Sequence, residues 1–392
     1  MDTTPTDETL FDQLHSTVAT QGIGPAMDQL ITKLDQREDY QALFYALLLK
    51  KRVELGVSPF PTGPAAELPS EAHEPYEDAI REAGRKVGGL YLAKKQIARA
   101  WGYFRMLDEP QPVIDALEKF EAGPDDDVYG AVEVAWQQGL SPQRGFDLVL
   151  NHHGICAAIT MLGNVDLTAK LKLRDHCVTR LVNALHAQLH ERIVGDLQSR
   201  GVVTPADATI PQLLGLQPEA FGEGEYHVDV SHLNSVVQMA MQLTPCDELA
   251  KAIELSQYGE RLSPTLRADA HPPFENSYAD YTRYLCIVNG DDVEAGLKYF
   301  EAKLPMAAEQ GDTFPVEVFI NLLVKLNRLP EAVTVARQYL GDEEGRELSC
   351  PTLSELARRA NDFATLAESA RASNDPVSYL ASLIASARAS CP

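Results

Sequence analysis

The chain has 392 residues, 57 of them Asp or Glu and 34 Lys or Arg, for a formal charge of −23. A surface this negative repels phosphate backbones and anionic lipid, which argues against nucleic acid and membrane surfaces as partners. The hydrophobic fraction of 45% is that of a globular protein, and no apolar run approaches the ~18–20 residues of a membrane span.

The first residues, MDTTPTDETLFDQL, carry neither a basic n-region nor an apolar h-region, so a secretory signal is not expected. The six cysteines are scattered with no C-x-x-C pair, as in a protein of the reducing cytoplasm. A cytoplasmic location is the expectation.

In chain order, residues 1–55 read as helices: Leu30, Ile31 and Leu34, then Leu43, Ala46 and Leu47, follow i, i+3, i+4 spacing. Residues 56–75, with five prolines, form a linker. Residues 76–200 form a helical array. In it Ile97, Ala98, Trp101 and Phe104 mark one apolar face, with Trp101, Tyr103 and Phe104 read as packing. Asp125, Asp126 and Asp127 are expected to start a helix, where acid suits the dipole.

Seven of the ten histidines fall between 152 and 232. Imidazole is the commonest protein metal ligand and titrates near neutral pH, so the clustering carries weight. His152 and His153 open a helix that continues GICAAITML. The segment Asp175–Arg200 is a helix with a stripe of Val178, Leu181, Val182, Leu185, Leu189 and Ile193, and Asp175 is its expected N-cap. His186 and His190 are i, i+4, one turn apart on one face, roughly 60–100° from the stripe centre. H-x-x-x-H can hold a metal from one helix, but the intervening Ala187-Gln188-Leu189 supplies no zincin glutamate.

Residues 201–230 form a long irregular loop, a length that points to a functional or partly structured segment. It ends in YHVDVSHL. His227, Asp229 and His232 place two imidazoles and a carboxylate within six residues, a set that suits Zn, Fe or Mn. On the bland reading Asp229 or Ser231 merely caps the following helix. His271 precedes Pro272-Pro273-Phe274-Glu275, read as a rigid turn against Tyr278, Asp280 and Tyr281. No phosphate loop, dinucleotide fingerprint or G-x-S-x-G elbow occurs.

Residues 231–392 read as a helical-repeat region. A helix begins after Gly290 over Asp292–Leu304. Phe314–Leu326 pairs with Pro330–Leu340, Pro351–Ala360 with Asp362–Ala372, and Pro376–Arg388 closes the chain. NRLPEAVTVARQYL and GDDVEAGLKYFEAKL each resemble the second half of a tetratricopeptide-type repeat, with small residues such as Ala332 and Ala336 facing the partner helix. The resemblance is to the broad helical-repeat class and runs over residues 276–390. It implies stacked antiparallel helix pairs whose concave face binds a protein or small-molecule ligand.

The fold expected is therefore all-α: antiparallel helix pairs stacked as a curved solenoid, interrupted by the central irregular segment. The leading functional reading is a cytoplasmic binding or scaffold protein of helical-repeat type with a His/Asp site in its centre. The alternative is a metal-dependent hydrolase or lyase in which His227, Asp229 and His232, with His186 or His190, hold one divalent ion. Glu223 or Glu225 would then be the general base.

Overall fold

The computed structural model describes residues 6–60, 68–124, 126–218, 224–267, 271–340 and 348–389; the middle of the Pro-rich linker, Asp125 and Glu223 lie outside them. Every regular element among the described residues is a helix. None is long and apolar enough to cross a membrane. The chain divides into two compact units, Met1–His153 and Gly154–Pro392.

The first unit holds α1 (Thr6–Gln21), α2 (Ile23–Gln36), α3 (Tyr40–Glu54), α4 (Ser70–Ala93), α5 (Ile97–Met106), α6 (Gln111–Glu118), α7 (Val128–Val132) with a π turn after it, and the first half of α8 (Pro142–Gly163). The Pro-rich stretch ends early: α4 starts at Ser70 and carries Pro75 in its second turn. Its face of Ala83, Gly84, Val87 and Gly88 is small because α5 lies against it. A Cβ on Gly88 would stand 2.7 Å from the Phe104 ring. Tyr103 stacks on Tyr91 and meets Phe44 edge-on, so these aromatics are packing, as the sequence suggests. Asp127 caps α7 by accepting from the Gly130 amide at 2.8 Å. α8 kinks at Gly154, whose φ of 81° lies in the region that favours glycine. His152 and His153 are exposed and sit before that kink, inside the helix rather than at its start.

The second unit continues with α9 (Leu171–Ser199), α10 (Ile210–Leu216), α11 (Val230–Ala240), α12 (Glu248–Arg261), α13 (Tyr278–Asn289), α14 (Val293–Glu301), α15 (Leu304–Glu309), α16 (Phe314–Lys325), α17 (Leu329–Tyr339), α18 (Leu353–Ala360), α19 (Phe363–Ala372) and α20 (Pro376–Ala389). α9 begins one turn before Asp175, yet all six residues of its expected stripe are buried. α9 packs on α10, α11 and α12. From α12 onward, each helix packs mainly on helices one to three places along the chain.

One connector recurs. Glu38, Lys95, Asp108, Gly290, Asn327, Asn361 and Asn374 all have positive φ just after a helix. In each case the next amide donates to the carbonyl five residues back, at 2.8–3.0 Å, as in Asp362 to Ala357 and Asp375 to Ala370. This is the Schellman closure, which satisfies helix-end carbonyls and reverses the chain in very few residues. Asp39 and Asp362 then cap the following helix at once, on Ala42 and Thr365.

Two corners fix the second unit. Lys325, at the end of α16, donates to the Gln242 and Leu243 carbonyls at 2.8 and 2.6 Å, beyond the C-terminus of α11. The His271–Glu275 turn contains a cis Pro272-Pro273 bond. It is fastened by Lys303, which reaches the Pro273 carbonyl, Glu275 and the buried Asp280, while Phe274 packs on Tyr281 and Phe300.

Candidate functional site

The central histidines face the long connection after α9. His190 Nε2 donates to the Ala208 carbonyl at 2.9 Å. His186, one turn earlier with its ring stacked at 6.5 Å, donates from Nε2 to Glu254 Oε2 of α12 at 2.9 Å. The same carboxylate oxygen accepts the Ile210 amide at 3.0 Å. Ile210 opens α10, so Glu254 supplies negative charge where the helix dipole and an orphan amide both favour it. Thr209 and Gln212 complete that end as a reciprocal capping box.

A second fastening lies further along the segment, at His227. The His227 amide donates to the Tyr258 hydroxyl at 2.7 Å, and the ring Nδ1 is 3.1 Å from the same oxygen. Nε2 faces Asp196 Oδ2 at 3.4 Å, and the carbonyl accepts from Arg192 at 2.9 Å. Asp196 can only accept, so Nε2 carries the proton facing it. In the neutral ring Nδ1 is then left to accept the tyrosine proton. Burial pushes Asp196 up, but hydrogen bonds from Arg200 and His227 outweigh it and hold the carboxyl below its ordinary range. Burial drives the Tyr258 hydroxyl up to about 12, so it stays protonated. Arg200 also faces Glu225 at 3.7 Å.

Asp229 is the N-cap of α11. Its Oδ1 accepts from the Ser231 and His232 amides at 2.8 and 3.2 Å, and these bonds, with the one from the Ser231 hydroxyl, hold it below the usual carboxylate range. His232 sits half-buried in the first turn behind it.

Thus His186 and His190 share a face, as their spacing predicts. His227 joins Asp196 and Tyr258, and Asp229 turns to its own helix. Among the described residues, no group of three or more His, Cys, Asp or Glu side chains is placed to hold a metal ion. The five residues named from sequence are not gathered into one ligand set, because each candidate but His232 is directed at a partner of another kind. Sequence reasoning missed Glu254, Tyr258, Asp196 and Arg192. Their signal was slight: Glu254 and Tyr258 share α12 with the buried Leu249, Ala252 and Leu255, as polar groups on or beside a core-facing arc.

The clasped segment borders a hollow of about 450 Å³ lined by Pro205, Ala206, Asp207, Ala208, Gln212 and Leu216. Among the described residues its wall is mostly apolar and Asp207 is the one charged side chain in it, and His190 fixes the Ala208 carbonyl. Searches against protein-family models and curated protein sequences give no match for this chain.

Proposed function

We propose that this protein is a helical-repeat binding protein, tetratricopeptide-like in its C-terminal part, that holds a protein or small-molecule ligand against its stacked helix pairs. The packing of each helix on its near neighbours supports the repeat reading, as does the recurring Schellman connector. Asn327 and Asn361 stand 34 positions apart, from 327 to 361, the period of tetratricopeptide units.

The observation that carries the binding reading is how the central histidines are spent. His186, His190 and His227 direct their ring nitrogens to the segment after α9 and its supports. What the segment then offers is an open, mostly apolar hollow of a size suited to a ligand group. With Asp207 on its wall and −23 on the chain, the favoured ligand is an apolar group next to a positive charge, such as a basic-apolar peptide or an apolar amine.

The test is fluorescence polarisation of the full chain against labelled peptides that alternate Lys or Arg with Leu or Phe, with small apolar amines as competitors. Binding that is lost in Leu216→Arg and weakened in Asp207→Lys is expected. Absence of binding, or binding indifferent to both changes, overturns the reading.

A further inference from the structure

Several acceptors in the wall of the hollow beside α10 are already taken. The Ala208 carbonyl accepts from His190 at 2.9 Å, and the Pro205 carbonyl accepts the Ala208 amide at 3.4 Å. Gln212 Oε1 receives the Thr209 amide at 2.9 Å, its half of the capping box. A backbone N–H only donates, so the side-chain oxygen of Gln212 must face Thr209, and what stays unspent is Nε2 with its two protons. Asp207 is the opposite case. It is exposed in the same wall, and among the described residues neither a hydrogen bond nor an ion pair engages its carboxylate. Pro205, Ala206 and Leu216 supply apolar surface, Leu216 being 44% exposed.

The hollow thus offers an anionic acceptor, a neutral donor and an apolar wall. Its 450 Å³ has room for a residue or two rather than for a helix. Simple ligand groups fit only in part. A carboxylate suits Gln212 but is repelled by Asp207, and residues 201–250 carry seven acids and no Lys or Arg. A lysine ammonium or an arginine guanidinium pairs with Asp207 yet brings only donors, which leaves Gln212 Nε2 without an acceptor. A group that meets both has an ammonium on one carbon, a carbonyl at the next and an apolar branch on the first. The first residue of a peptide has this form when its terminus is free and its side chain apolar.

We propose that the hollow binds the free N-terminus of a peptide with an apolar first residue. The α-ammonium pairs with Asp207, the first carbonyl accepts from Gln212 Nε2, and the side chain lies against Pro205, Ala206 and Leu216. The inference rests on the reading of the hollow as a ligand site and narrows it to one end of a chain.

The experiment is fluorescence polarisation of the full chain with the peptide LASGSK, labelled on its C-terminal lysine, in free and N-acetylated forms. An N-acetylated peptide alternating Lys with Leu probes the broader reading in parallel. The free form should bind at least about tenfold more tightly than its acetylated twin, which has lost the charge. GASGSK, without the apolar branch, should also bind more weakly. Asp207→Asn should bring the free form down to the acetylated one. Gln212→Glu discriminates most sharply, because glutamate keeps the capping box but presents an acceptor where Nε2 donated. It should weaken the free peptide about fivefold. Isoamylamine, a competitor with the ammonium and the branch but no carbonyl, should compete as well as before. Equal binding of the free and acetylated forms overturns the inference, as does a Gln212→Glu protein that weakens peptide and amine alike or neither. If the alternating peptide then still binds and is lost in Leu216→Arg, the hollow stands as a ligand site and only this narrowing falls. If no probe binds, both fall.

Discussion

His186 Nε2 lies 2.9 Å from Glu254 Oε2, an oxygen that also receives the first amide of α10. One carboxylate thus joins α9, α12 and the connecting segment across 68 residues of chain. Neither member of the pair is more than 19% exposed, so removing the acid leaves two donors short of an acceptor in a poorly hydrated place. Glu254→Ala should cost about 1–3 kcal/mol in urea unfolding. It should also speed proteolytic cutting within 201–218 before global unfolding. Glu254→Gln keeps one acceptor and should cost less. Equal cutting in Glu254→Ala and the wild type would show that the clasp contributes nothing locally.

Asp196 gives a pH-dependent prediction. Its ordinary value is 3.8 and its folded value is lower, because the bonds from Arg200 and His227 outweigh burial. A carboxyl depressed on folding contributes stability that is present above its ordinary value and is lost as pH falls through the folded one. Asp196→Asn should therefore be less stable than wild type at pH 6, with the gap closing below about pH 4. Chemical unfolding of both proteins at several pH values checks this. A gap that stays constant into acid would mean that the charge is irrelevant.

The outline of this fold was legible because its punctuation is local. Pro315 and Pro330 stand in the first turns of α16 and α17, Gly290 closes α13, and the α9 stripe repeats at helical spacing. The site was legible only in half. That His186 and His190 share a face follows from 3.6 residues per turn. That they meet Glu254 and Ala208 does not, since those partners are set by packing between distant segments. Asp229 shows the ambiguity most plainly. A carboxylate three residues before a helical histidine serves equally as ligand or cap, and the backbone at Asp229 decides by placing the Ser231 and His232 amides under it.

Gly259 of α12 is held to glycine by the aromatic side of α13. A Cβ there would stand 2.4 Å from Tyr278 Cδ1 and 2.5 Å from Cγ. Those atoms lie near the root of a ring that is 1% exposed, so they cannot swing aside. Gly259→Ala should destabilise by about 1–3 kcal/mol through overpacking. The Tyr278 hydroxyl itself is buried without a hydrogen-bond partner among the described residues. Tyr278→Phe should consequently be neutral or slightly stabilising, since it removes an unmet desolvation cost. Thermal melts of the two variants separate the effects: a tolerated Gly259→Ala would mean that α12 and α13 can slide apart.

Lys325 should make stability rise in alkali. Burial, and secondarily the nearby Arg174, lower its ammonium from 10.5 to about 8, although two carbonyls accept its protons. Below pH 8 both folded and unfolded chains are protonated there, and the folded one bears the cost of the buried charge. Between about 8 and 10.5 the folded chain gives up the proton while the unfolded chain keeps it. The unfolded state then binds more protons, so stability climbs with pH. Tyr258 and Cys350 act oppositely, because burial raises each to about 12 and the unfolded chain ionises first. The lysine must therefore be read as a difference. Wild-type stability minus that of Lys325→Met should increase across this window by on the order of 1–3 kcal/mol. At pH 7 the methionine variant loses two hydrogen bonds to the end of α11 but sheds the buried charge, so its stability there does not discriminate. The slope does: parallel curves from pH 7.5 to 10.5 would show that Lys325 titrates as an ordinary surface lysine.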